Sequence, residues 1–160
     1  VNLPKKDKST PAHYQAITAD KMGKMVLAGN GGVVNVIAGN LNDVKGPAHT
    51  YSPVNLFDIR LNKDGEFSMS ITTEHNTALL VINGSIEVNG EKASEHSFVL
   101  FKNEGEDIHV KAAENAVVLL LSGEPINEPI ASYGPFVMNT QEEIYEAIEE
   151  FQSGKYGVLN

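Results

Sequence analysis

The sequence contains no cysteine. That absence removes disulfides, thiolate metal sites and cysteine nucleophiles together, and it fits a cytoplasmic protein, with the nucleus left open. Long hydrophobic runs are missing too. The longest, Ala116 to Leu121, has the length of a buried strand. A transmembrane helix needs roughly 18 or more apolar residues, so no membrane span is expected. No basic segment followed by an apolar one opens the chain, so no secretion signal is visible. Basic charge is scarce: 12 Lys and Arg stand against 21 Asp and Glu, a net charge of −9. A phosphate backbone would be repelled on average. The one basic cluster, Lys5, Lys6 and Lys8, reads as a solvated loop, so no direct nucleic-acid contact is expected. Gly-x-Ser-x-Gly is absent. Gly29 to Gly32 is followed by a β-branched run and lacks the strand–GxGxxG–helix context of a dinucleotide site.

What remains is ordinary for one globular domain: 160 residues, 41% hydrophobic and 21% charged, enough chain to bury its own core. The first residue is Val rather than Met, and the natural expectation is that something precedes it. Short apolar stretches recur about every ten residues, with turn residues between them. Strands are expected at His13–Ile17, Lys24–Ala28, Val33–Ile37, Val54–Leu61, Glu66–Thr72, Thr77–Ile82, Ser85–Val88, Ser97–Phe101, Asp107–Lys111 and Ala116–Leu121. Gly39 to Pro53 reads as loop. Asp64-Gly65, Asn83-Gly84 and Asn89-Gly90 are hairpin signals. The pattern argues for an antiparallel sandwich or barrel.

Helical periodicity appears only at the end. Thr140 and Glu143 have the spacing of a capping box. Ile144, Ala147, Ile148 and Phe151 then fall on one face, and Gly154 follows as a C-cap. Before the helix, Pro125, Pro129 and Pro135 forbid a continuous helix or a central strand. This stretch reads as an extended strap. The expected division is a barrel over 1–122, a strap over 123–139 and an amphipathic helix over 140–153.

Gly123-Glu-Pro-Ile-Asn-Glu-Pro129, Gly134-Pro-Phe-Val-Met-Asn-Thr140, Glu142-Glu-Ile144 and Gly154-Lys-Tyr-Gly157 together resemble the C-terminal end of the pirin family. Val1-Asn2-Leu3-Pro4, Lys6-Asp7-Lys8, Pro11, Tyr14 and Gln15 resemble the segment that begins the second half of those proteins. The resemblance implies an all-β, antiparallel cupin-type jelly roll (a double-stranded β-helix) with one C-terminal α-helix. Pirins carry two such barrels in one chain, and the resemblance covers the second barrel and its tail.

Cupins that hold a redox metal use a motif of the form H-x-H-x(3,4)-E-x(6)-G, plus a further His. With Gly84 as the motif glycine, the Glu position falls on Thr77. The two His positions fall on Ile71 and Thr73, or on Ser70 and Thr72. None of these is a metal ligand of the kind required. His109 is a weak metal candidate for the second motif, one position out of register. The five histidines are His13, His49, His75, His96 and His109, and no two lie within four positions of each other, so there is no local chelating pair. His75 and His96 read as surface residues. Asp58 and Arg60 have the spacing of a same-face ion pair on a strand.

The resemblance therefore implies a non-catalytic half, structural or partner-binding. Iron or another divalent transition metal is expected in the N-terminal barrel, and no cofactor or catalytic residue in this chain. Phe136, Val137, Met138, Ile144, Ile148 and Phe151 are the expected contacts to that other half or to a second copy, and exposed apolar area there predicts a homo-oligomer. Joined to the other half, the chain could be part of a quercetin dioxygenase. A third reading is a metal-free small-molecule barrel lined by Phe67, Met69, Leu79 and Val81.

Overall fold

A computed structural model describes residues 2–11 and 13–157. They form two compact units, residues 13–125 and residues 2–11 with 126–157.

The first unit is the barrel. Its strands are β1 (Gly23–Leu27), β2 (Gly32–Ala38), β3 (Asn40–Leu41), β4 (Val44–Lys45), β5 (Val54–Leu61), β6 (Glu66–Ser70), β7 (Asn76–Asn83), β8 (Ile86–Val88), β9 (Glu91–Ala93), β10 (Phe98–Leu100), β11 (Asp107–Ala112) and β12 (Ala116–Gly123). Six of them form one sheet in the order β1-β2-β5-β12-β7-β10, and four form a second in the order β6-β11-β8-β9. The pairings within both sheets are antiparallel.

Alternation along the strands builds the core between the sheets. Val34, Val36, Phe57, Ile59, Leu79, Val81, Val118 and Leu120 point inward from the six-stranded sheet, and Phe67, Met69, Ile86, Val88, Ile108 and Val110 from the four-stranded one; all are buried. The apolar run 116–121 works as a central strand, paired with β5 on one side and β7 on the other.

Turn chemistry is read correctly in position but not always in role. Asn89-Gly90 closes a true hairpin between β8 and β9, with Asn89 at φ 50° and Gly90 at φ 88°. Asp64-Gly65 and Asn83-Gly84 are corners instead. Each carries the chain from one sheet to the other, because β5 and β7 belong to the six-stranded sheet and β6 and β8 to the four-stranded one. A tight turn reverses the chain in either case; only long-range pairing decides which strands it joins. The expected strand at His13–Ile17 is not formed. Gln15 instead clips the chain to His49 through its side chain, accepting from the His49 N–H at 2.8 Å and donating to its carbonyl at 3.0 Å. The stretch expected as loop, 39–53, contains the small β3–β4 hairpin.

The second unit joins the described residues near the start of the chain to its tail. The expected barrel began at residue 1; residues 2–11 group with the tail instead, to which several hydrogen bonds and an ion pair tie them. The Lys5 ammonium lies 2.7 Å from Glu143, the Lys5 backbone N–H donates to Glu128 at 2.8 Å, and Lys8 donates to the Val137 carbonyl at 3.2 Å. Two of the three clustered lysines are thus engaged within the chain.

The strap is less extended than expected. It folds into a hairpin of β13 (Ala131–Tyr133) and β14 (Phe136–Met138) around Gly134-Pro135. Helix α1 (Gln141–Gln152) follows, and its capping box is formed in both directions. Glu143 N–H donates to Thr140 Oγ1 at 3.2 Å, and Glu143 Oε2 accepts from the Thr140 N–H at 3.1 Å. Ile144 and Ala147 are buried on its inner face. The Phe136 and Phe151 rings meet edge to face at 6.1 Å.

Candidate functional site

Three positions of the cupin metal motif converge in the barrel. Ile71, Thr73 and Thr77 line one small cavity of about 50 Å³, together with His75, Phe101 and Ile108. Ile71 is buried, whereas Ser70, of the other register, is exposed and donates from Oγ to Asp107 at 2.6 Å. In the Ile71 register the motif positions at the cavity are an isoleucine and two threonines; Thr72 of the other register lines it as well. A hydrocarbon and two neutral hydroxyls do not fit a transition metal that needs imidazole and carboxylate donors. Among the described residues, no three His, Asp or Glu side chains come together in a geometry that could hold a metal ion.

His109 does not supply the missing ligand. It pairs with Ser68 across β6 and β11, and its Nδ1 lies 2.8 Å from Ser68 Oγ. Its backbone N–H donates to Asn89 Oδ1 at 2.7 Å. It is exposed while its neighbour Ile108 is buried, so the one-residue slip puts the imidazole on the wrong face of the strand.

His75 is the residue that sequence reasoning missed. Expected at the surface, it is half-buried, with Nδ1 2.9 Å from Ser122 Oγ. Thr77 donates to the same Ser122 oxygen at 3.2 Å, and both hydroxyl residues are buried. The Ser122–Thr77 hydroxyl pair thus engages the ring at Nδ1. No signal in the sequence could have paired His75 with Ser122, because the contact spans 47 positions.

A larger cleft of about 440 Å³ shares His75 with this cavity, and its wall includes Lys45, His49 and Asn55. The His49 ring is held at 5.1 Å from Tyr51 and 6.4 Å from His13, both edge to face. Three histidines scattered in sequence are thus gathered at one end of the barrel unit.

The residues expected to line a metal-free barrel divide. Phe67, Leu79 and Val81 are packed core, at 4%, 0% and 0% exposure. Only Met69 of the four also borders a cavity, one of about 630 Å³ that runs beside Ser68, Asp107 and His109. The Asp58–Arg60 pair does form, at 3.0 Å, and Asn35 donates to the same carboxylate oxygen.

The tail residues expected to meet a partner divide into two groups. Val137 and Phe151 are exposed, at 40% and 61%; Phe136, Met138 and Ile148 are half-buried. Ile144 is 1% exposed; it faces the interior of its own unit and has no surface left for a partner.

Two antiparallel sheets around a buried apolar core fit a β-sandwich or jelly roll, and comparison with known proteins narrows the class to a cupin barrel. The model of the pirin C-terminal cupin domain matches residues 56–157. The chain is 40% identical to the crystal structure of a quercetin 2,3-dioxygenase from Acinetobacter baumannii, with a TM-score of 0.90, covering 100% of this chain and 56% of that one. It is 32% identical to a pirin-like protein of Solanum lycopersicum, over 98% of this chain and 55% of the relative. Human pirin is 29% identical, with the same two coverages. The chain belongs to the pirin family. It spans about half the length of the curated relatives it matches. No helix among the described residues is long and apolar enough to cross a membrane.

Proposed function

We propose that this chain is the non-catalytic C-terminal cupin half of a pirin-type protein, a structural and partner-binding module. The metal centre, iron or another divalent transition metal, belongs on this reading to a companion N-terminal barrel. One observation carries it: the three motif positions that meet at a single cavity are Ile71, Thr73 and Thr77. Extra chain in the relatives, nearly half of their length, leaves room for a second barrel. The exposed tail residues Val137 and Phe151, with Phe136, Met138 and Ile148 beside them, are the surface it would cover, and a second copy would take that place in its absence. The acidic charge favours a protein partner over nucleic acid, and a cytoplasmic location goes with this reading.

The test is a comparison of this chain with the full-length protein from the same source. After loading with Fe(II) and desalting, metal content and quercetin-dependent oxygen consumption are measured on both. The expected result is near-stoichiometric metal in the long protein only. Stoichiometric metal retained by this chain, or multiple-turnover oxygen uptake by it, would overturn the proposal.

A second reading is that the intact protein is a quercetin 2,3-dioxygenase. The Acinetobacter baumannii structure of that name, at 40% identity, supports it. Oxygen uptake by the full-length protein in the same experiment decides it, independently of the outcome for this chain.

A further inference from the structure

We infer that the cleft between the β3–β4 hairpin and the start of β7 binds a small organic carboxylate. The inference concerns the barrel unit alone and does not rest on where the protein holds its metal.

The lining of the cleft points to an anion. Lys45, His49, Asn55 and His75 all contribute to it, and no Asp or Glu does. In a chain with net charge −9, a concavity whose only ionisable groups are cationic or neutral is a local reversal of the overall sign. Each of the four can donate a hydrogen bond. Lys45 is exposed and brings a full positive charge. The Ser122–Thr77 pair fixes His75 by its Nδ1, on a ring that borders the cleft and whose other nitrogen, Nε2, is not part of that contact. Asn55 Oδ1 accepts from the Asn40 backbone N–H at 3.4 Å, which assigns its NH₂ group to the other side of the amide. His49 is pinned at both backbone groups by Gln15, and its ring is packed against Tyr51. Hydrogen bonds from several fixed donors to one anionic acceptor are the strong kind.

The other wall is apolar. Pro47, Pro53 and Val54 line it, which favours a ligand with a hydrocarbon body over a bare inorganic ion. A volume of about 440 Å³ lies within the range of small-molecule sites. No chemical step is implied. Ser122 is 5% exposed, and its hydroxyl holds the imidazole instead of facing a ligand.

The probe is benzoate, with inorganic phosphate as the second arm, titrated into the protein by calorimetry and by amide NMR. Benzoate is expected to bind with a dissociation constant below about 1 mM and to shift the amides of residues 45–55 and 75. Lys45→Ala, at an exposed side chain, should weaken binding about tenfold or more. His75→Phe should do the same, and His75→Gln, which keeps an N–H donor, should restore most of the loss. If His75→Phe fails to fold, Lys45→Ala and the shift map still decide. Shifts confined to other surfaces, equal affinity in wild type and Lys45→Ala, or no benzoate binding would each overturn the inference. So would binding of phosphate without benzoate, because the apolar wall would then have no role.

Discussion

Thr140 and Glu143 are the residues where local chemistry decides structure without help from the rest of the chain. Their spacing forms a capping box in the sequence and in the structure alike, because both partners sit within one turn. Thr140→Ala should cost about 1 kcal/mol of tail stability and Thr140→Ser almost nothing, read from helix content against temperature. Glu143 has a second task. Its ion pair with Lys5, followed by the Asn139 N–H and other backbone donors, holds its carboxyl below the ordinary glutamate range. A depressed folded value means the unfolded chain binds the proton more readily. The stabilisation is therefore complete above the unfolded carboxylate's value, about 4.3, and is lost as the pH falls through the lower folded value. Residues 2–11 should accordingly loosen from the tail on acidification below about pH 4.3, seen as a lower protection factor, exchange relative to the intrinsic rate at the same pH, at the Lys5 amide. Glu143→Gln should show that loss of protection already at neutral pH. His75 is the counterexample in legibility. Its neighbours in the chain, Glu74 and Asn76, describe a surface residue, and only the fold brings Ser122 to it.

At the level of strands and turns, short apolar or β-branched stretches set about ten residues apart between turn signals located nine of the strands. Short edge pieces such as β3, β4 and β9 escaped because two or three residues carry no period. The corners were misread as hairpins for a different reason. Asn-Gly and Asp-Gly report backbone sign, not the partner strand. The two kinds of glycine should respond differently to mutation. At Gly84, φ is 77° and an added Cβ would stand 2.4 Å from the Asn115 carbonyl oxygen. At Gly90, φ is 88° with open space around it. Gly90→Ala carries only the left-handed penalty, about 1–2 kcal/mol. Gly84→Ala adds a clash with backbone and should cost clearly more. Urea unfolding of the two variants side by side checks the order.

For the molecule as a whole, the fold class was legible, because a jelly roll needs many short strands with turns between them. The cleft was not, because Lys45, His49, Asn55 and His75 come from separate strands and loops. Association belongs to this scale too. With Val137 and Phe151 exposed, the chain should associate as its concentration rises, and Val137→Asp with Phe151→Asp should return it towards monomer in sedimentation velocity. A wild-type chain that stays monomeric at high concentration would contradict the tail's proposed role.

The convergence of Ile71, Thr73 and Thr77 also has an evolutionary side. Of the three, only Thr77 sits on a strand, while Ile71 and Thr73 lie in the connection between β6 and β7, so backbone placement as well as side-chain chemistry stands between this pocket and a coordination sphere. Replacing the three by His, His and Glu would supply three donors of the motif and leave its further His still to be found, so a barrel of this family could gain or lose an ion only through several coupled changes.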